Sequence, residues 1–147
     1  MDYAENLISV AKKVLGEKNF VEVMADEAIN LPTDIKYDAV FAGSVFPYFP
    51  DLDYAEKVLD KMVAKAKKSV GSLRMLQEET REEYENYRRA NVKNYDELYK
   101  DLPKTFYSKD FFKNYAKKNN LRVKFSHHEI AGHWNNPFNF DVFLYKE

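Results

Sequence analysis

The stretch 36–73, KYDAVFAGSVFPYFPDLDYAEKVLDKMVAKAKKSVGSL, decides the fold. Tyr37 to Ala42 is a short apolar run and predicts a strand. Gly43 and Ser44 follow, then Phe46-Pro47-Tyr48-Phe49-Pro50-Asp51, where two prolines forbid regular helix. From about Asp53 to Lys68, Ala55, Val58, Leu59, Met62, Val63 and Ala66 form the apolar stripe of a helix. Gly71 then leads into a predicted strand over about 72–77. Helix alternating with short apolar strand indicates a parallel α/β sheet.

Upstream, residues 20–25 read as another strand ending at Asp26, with 31–34 as a loop. Ala4, Leu7, Ile8, Ala11 and Leu15 predict an amphipathic helix with Asp2 as N-cap and Gly16 as its stop. Downstream, 78–106 is polar, charged and Tyr-rich, an insertion or lid formed of helical pieces. Ser108 caps a helix over 109–119 that places Phe111, Phe112, Tyr115 and Ala116 on one face. Strands over 121–130 and 138–145 lie only a turn apart, so they form an antiparallel hairpin at or near the sheet edge. The expected architecture is one α/β domain spanning 1–147. Its sheet is mostly parallel, with helices on both faces and a C-terminal antiparallel β-hairpin.

Composition narrows the function. The 147 residues suit one domain, and 45% hydrophobic with 32% charged is an ordinary globular balance. Lys plus Arg number 23 against 24 Asp plus Glu, so the near-neutral chain lacks the basic excess of a nucleic-acid binder. There is no cysteine, which excludes disulfides, thiolate catalysis and Cys-based zinc sites. No apolar run is long enough to span a membrane, and the acidic, polar start is not a signal peptide. A cytoplasmic protein with no nucleic-acid or membrane partner is expected. His127 and His128 are adjacent on a predicted strand and point to opposite faces, so they do not share an ion, and no metal is expected.

Four segments in matched order resemble the class I S-adenosylmethionine-dependent methyltransferases. DYAENLISVAKK at 2–13 is similar to the acidic residue and helix that follow that family's second strand. VEVMADEAINLP at 21–32 is similar to its next strand and Ala-Asp-Ala turn. Residues 36–73 resemble its fourth strand through the fifth, and TFYSKDFFKNYAKKNNLRVKF at 105–125 the helix and strand before its closing hairpin.

The resemblance implies a truncated Rossmann-like fold using S-adenosylmethionine as cofactor. It assigns Asp2 to the cofactor ribose, Asp26, Glu27 and Ala28 to the adenine, and Gly43, Ser44 and Val45 to the methionine side. Phe46, Tyr48 and Phe49 would wall the space beside the methyl group, because aromatic faces attract a sulfonium cation. Tyr84, His128 and His133 are candidates for contact with the methyl acceptor. Plainer readings stand beside these: Asp2 as helix cap, Asp26 in an ordinary turn, Ser44 as a cap, and the aromatic residues as core. In-line methyl transfer demands alignment above all, so no catalytic dyad is required and none is found.

The departure is equally specific. The family's Gly-x-Gly-x-Gly loop, with the strands and helix around it, has no counterpart in this sequence, which begins where the second strand should end. Its absence would leave strands 20–25 and 37–42 with unpaired edges. These strands would pair with each other, or a second copy in a homodimer or a complementing N-terminal chain would fill the gap. The expected function is methyl transfer to a small-molecule acceptor. The alternative is a non-catalytic remnant that acts in self-association or protein binding.

Overall fold

The computed structural model describes residues 1–15, 23–127 and 129–147. In chain order the main elements are α1 (Glu5–Leu15), β1 (Tyr37–Gly43), α2 (Leu52–Lys65), β2 (Ala66–Leu76), α3 (Arg81–Asn91), α4 (Tyr95–Tyr99), α5 (Lys109–Lys118), β3 (Leu121–Ser126) and β4 (Asn139–Lys146). The strands form one sheet in the order β1-β2-β4-β3. β1 and β2 pair in parallel, and β4 runs antiparallel to both β2 and β3. Three strands therefore share a direction and one opposes them. The closing pair is antiparallel and β3 lies at one sheet edge, as the hairpin spacing requires.

α2 and α5 pack on the same face of this sheet. Val58, Leu59 and Met62 of α2 share one buried cluster with Phe112, Tyr115 and Ala116 of α5 and with Phe140, Val142 and Leu144 of β4. The helices also meet directly. The Tyr115 hydroxyl donates to Asp60 at 2.9 Å, and Lys118 pairs with Glu56 at 2.6 Å. Helices on both faces are the expectation from sequence. Among the described residues the two that build this core occupy one face, because right-handed crossovers that step the same way across a sheet lay their helices on the same side. On the other face Phe41 is 59% exposed.

Boundaries shift for local reasons. α2 begins where Asp51 accepts the Tyr54 backbone N–H at 2.7 Å, and it ends at Lys65 rather than Lys68. Ala66 fits the helical stripe, yet it starts β2 opposite Tyr37. Gly71 is thus a mid-strand residue rather than the residue leading into the strand. A Cβ there would lie 2.5 Å from the Phe41 ring and 3.3 Å from that of Phe143, so any side chain at this position would force the Phe41 ring to shift. β3 ends at Ser126 rather than 130, because its register with β4 runs out opposite Asp141. Ser108 caps α5 as expected, accepting from the Phe111 N–H at 3.2 Å.

The N-terminal region departs most. Gly16 and residues 20–22 of the expected strand lie outside the described residues. Of the remainder, only Ala25 makes a β-type contact, a single parallel bridge to Asp2. β1 consequently has no second neighbour among the described residues. Asp2 sits ahead of α1 and accepts from the Ala4 N–H at 2.9 Å, so it shapes the turn into the helix rather than capping it. α1 buries Ile8 but leaves Leu7, Val10 and Val14 more than half exposed. No helix among the described residues is long and apolar enough to cross a membrane.

Phe112 lies at the centre of this core with no exposed surface. Phe112→Ala is expected to lower unfolding free energy by about 3–5 kcal/mol. Urea denaturation checks this; a loss under about 1 kcal/mol would mean that α5 is not held through this residue.

Candidate functional site

The ends of β1 and β2 and the start of β4 come together at one edge of the sheet. Each of these parallel strands has a non-glycine residue in the left-handed region here, Ser44 at φ 56° just after β1 and Arg74 at φ 61° within β2. Such conformations are uncommon outside glycine and are held only where surrounding contacts impose them. Here the Ser44 N–H donates to the Leu73 carbonyl at 3.0 Å, and the Arg74 N–H donates to the Asp141 carboxylate at 2.8 Å. Asp141 is only 3% exposed. The pairing of β2 with β4 shifts register between Ser72 and Met75, which frees the Arg74 amide for this bond. Gly43 beside it is open: a Cβ there would meet nothing within 4 Å.

The acidic segment before β1 is tied to the same end of α2. Asp26 accepts from the Glu27 N–H at 2.7 Å and from the Asn30 amide at 2.8 Å through one carboxylate oxygen. These bonds, that from Asn30 foremost, hold its pKa below the usual carboxylate value. Glu27 accepts from the Tyr54 hydroxyl at 3.0 Å, and the Tyr54 ring lies 5.0 Å from Phe49. Burial, reinforced by Glu27, raises the Tyr54 phenol pKa. Ala28 packs against the main core. Asp2 joins Asp26 through the backbone, which donates from the Asp26 N–H to the Asp2 carbonyl at 3.0 Å. The structure thus brings Asp2 beside Asp26, and Gly43, Ser44 and Val45 to the end of β1.

The aromatic candidates separate by burial. Phe46 and Phe49 are core residues with rings 4.7 Å apart, and the buried Tyr107 hydroxyl donates to the Phe46 carbonyl at 2.8 Å. Tyr48 between them is 65% exposed, with the Lys104 ammonium 3.1 Å from its ring centre. Tyr84 is buried in a second cluster with Leu76, Phe106 and Phe138, and burial pushes its phenol pKa up to about 12. Trp134 packs against that cluster and stacks on Tyr87 at 5.2 Å. His133 is half-buried beside Arg74, and His127 places Nδ1 2.9 Å from the Asn139 carbonyl. His128 lies outside the described residues.

Arg74 and Asp141 escaped the sequence reading. Their signal was present: each is a lone charge inside an apolar strand, in Leu73-Arg74-Met75-Leu76 and Phe140-Asp141-Val142-Phe143.

This arrangement is the fold of the class I S-adenosylmethionine-dependent methyltransferases. Magnesium protoporphyrin IX methyltransferase from Synechocystis with bound SAM superposes with a TM-score of 0.64 at 12% identity, over 99% of this chain and 57% of that one. A SAM-dependent methyltransferase from Thermotoga maritima gives 0.59 at 18% identity, over 99% of this chain and 71% of that one. Another from Clostridium acetobutylicum gives 0.64 at 10% identity, over 98% and 72%. The chain spans a little over half the length of the Synechocystis enzyme. No protein-family model and no curated protein sequence matches it.

Asp141 ties β4 to the end of β2. Asp141→Ala leaves the buried Arg74 N–H without its acceptor and is expected to cost about 1–3 kcal/mol of stability. Chemical denaturation of the variant against the parent checks this, and an unchanged midpoint would remove Asp141 as the anchor of this edge.

Proposed function

We propose that this chain takes part in S-adenosylmethionine-dependent methyl transfer to a small-molecule acceptor. The observation that carries the reading is the opening at Gly43–Ser44, where β1 ends without side-chain obstruction on a sheet of methyltransferase fold. In α/β sheets ligands bind outside the carboxyl ends of the strands. The donor set there suits the cofactor. One Asp26 oxygen is taken by local bonds, and the other, with no hydrogen bond among the described residues, would accept a hydroxyl or an exocyclic amine. The Asp2 carboxylate lies on the neighbouring segment. Bound there, the cofactor would supply a methyl group activated on a sulfonium. Asp26, Glu27 and Ala28 would hold its adenine, Asp2 its ribose, and Gly43, Ser44 and Val45 its methionine end. Tyr48 and His133 would border the acceptor, with 78–106 as the cover and Tyr84 packed beneath it. Phe46 and Phe49 act from below, fixing the turn that presents Tyr48.

The edge of β1, which has no second neighbour among the described residues, supports a further element in this reading. A second copy, or a complementing N-terminal chain, would pair with it and complete the cofactor site. The same edge, with Phe41 exposed on β1 and Leu7, Val10 and Val14 on α1, favours the second reading. In that reading the chain is a non-catalytic domain that works by self-association or protein binding.

Calorimetric titration with S-adenosylhomocysteine separates the two. Saturable one-site binding of about micromolar strength, roughly −8 kcal/mol, is the expected result. A folded sample that gives no heat at two temperatures, yet sediments as a dimer, would overturn the first reading in favour of the second.

A further inference from the structure

The five arginines of this chain are treated differently. Arg81 and Arg89 pair with carboxylates, and Arg88 and Arg122 lie over aromatic rings. Arg74 has neither kind of partner among the described residues. Its side chain is half-buried, and one terminal nitrogen lies 2.8 Å from Nε2 and 3.1 Å from Nδ1 of His133. The Asn135 N–H already donates to Nδ1, at 3.2 Å. His133 can accept one guanidinium N–H, and the other guanidinium donors have no side-chain acceptor among the described residues. Asp141 accepts from the Arg74 backbone N–H. A permanent cation with no carboxylate on its side chain among the described residues therefore sits in the β2 irregularity beside the end of β1, in a backbone conformation that costs free energy to hold.

We infer that Arg74, with His133 behind it, receives a carboxylate group of the methyl acceptor. The guanidinium fork matches a planar carboxylate with two parallel hydrogen bonds, and one positive charge balances one monoanion. Asp141 fixes the residue's backbone, so the side chain is presented from a rigid position. Arg74 is thus a specificity-determining residue that orients the acceptor. The inference rests on the methyl-transfer reading for the word acceptor, whereas the carboxylate site itself stands on the geometry alone.

Trp134, next in sequence to His133 and the only tryptophan, is a built-in reporter. Its emission is to be followed while the intact chain is titrated with 3-phenylpropionate and, separately, with the neutral amide of the same acid. A saturable change with the acid and none with the amide is expected, and Arg74→Gln should weaken acid binding by about tenfold or more. Equal responses to acid and amide, no saturable response to either, or an Arg74→Gln affinity within about twofold of the parent would overturn the inference. If Arg74→Gln does not fold, the acid-against-amide contrast in the parent decides alone. A chain that binds S-adenosylhomocysteine but treats acid and amide alike loses this inference and keeps the methyl-transfer reading. Acid-selective binding without S-adenosylhomocysteine binding does the reverse.

Discussion

Burial of one sheet face beneath α2 and α5 is the interaction on which the rest of the molecule depends. Leu59, Phe112 and Phe140 are at or near zero exposure, and each fully buried apolar side chain contributes roughly 1.5–3 kcal/mol. Tyr115 and Lys118 then lock the two helices side by side through Asp60 and Glu56. The exposed Lys118–Glu56 pair adds little to stability by itself; its value is in alignment. With this layer in place, the ends of β1 and β2 are held in register, and left-handed backbone can be held at Ser44 after β1 and at Arg74 within β2.

That edge is stabilised from three sides. Below it, Tyr107 reaches from the segment before α5 to the Phe46 carbonyl, and Thr105 donates to the Phe49 carbonyl at 2.6 Å. The proline-interrupted turn after β1 is therefore not free to move independently of the chain around 105–107. At its flank, Asp141 holds the backbone at Arg74. Above it, the second aromatic cluster joins α3 to the turn that carries His133 and Trp134. Arg88 lies about 5 Å from the rings of Tyr95, Tyr99 and Trp134, which ties α4 into the same assembly. A change in the 78–106 segment would thus be transmitted to His133 through packed rings.

Much of this architecture was legible in residue order. The β1–α2–β2 unit follows from the strand run at 37–42, the prolines at 47 and 50, and the stripe from Ala55 to Met62. The C-terminal hairpin follows from the short distance between its strands, and the α5 cap from Ser108. The junction at Lys65–Ala66 was illegible, because a small apolar residue satisfies both a helix stripe and a strand face. Gly71, read as leading into a strand at about 72–77, lies within the strand instead, where the rings of Phe41 and Phe143 on neighbouring strands crowd it. Within the candidate site, strand ends were readable because ligand edges of α/β sheets follow from topology. The burial of Phe46 and Phe49 beside exposed Tyr48 was not, since it depends on Tyr107 and Thr105 more than fifty residues away.

The asymmetry of the sheet connects stability to function. One face carries a dense core that needs no help, whereas β1 ends the sheet among the described residues and leaves Phe41 largely in solvent. Phe41 also shields Gly71, so its ring covers the backbone of β2 while exposing its own outer face. An element that paired with β1 would bury Phe41 further and stiffen the strand whose end presents Gly43 and Ser44. Any such pairing would act on the ligand edge through β1 itself, because the strand's hydrogen bonds to β2 set where Ser44 stands relative to Leu73. Occupancy of the open edge and order at the candidate site are in this way two consequences of one strand.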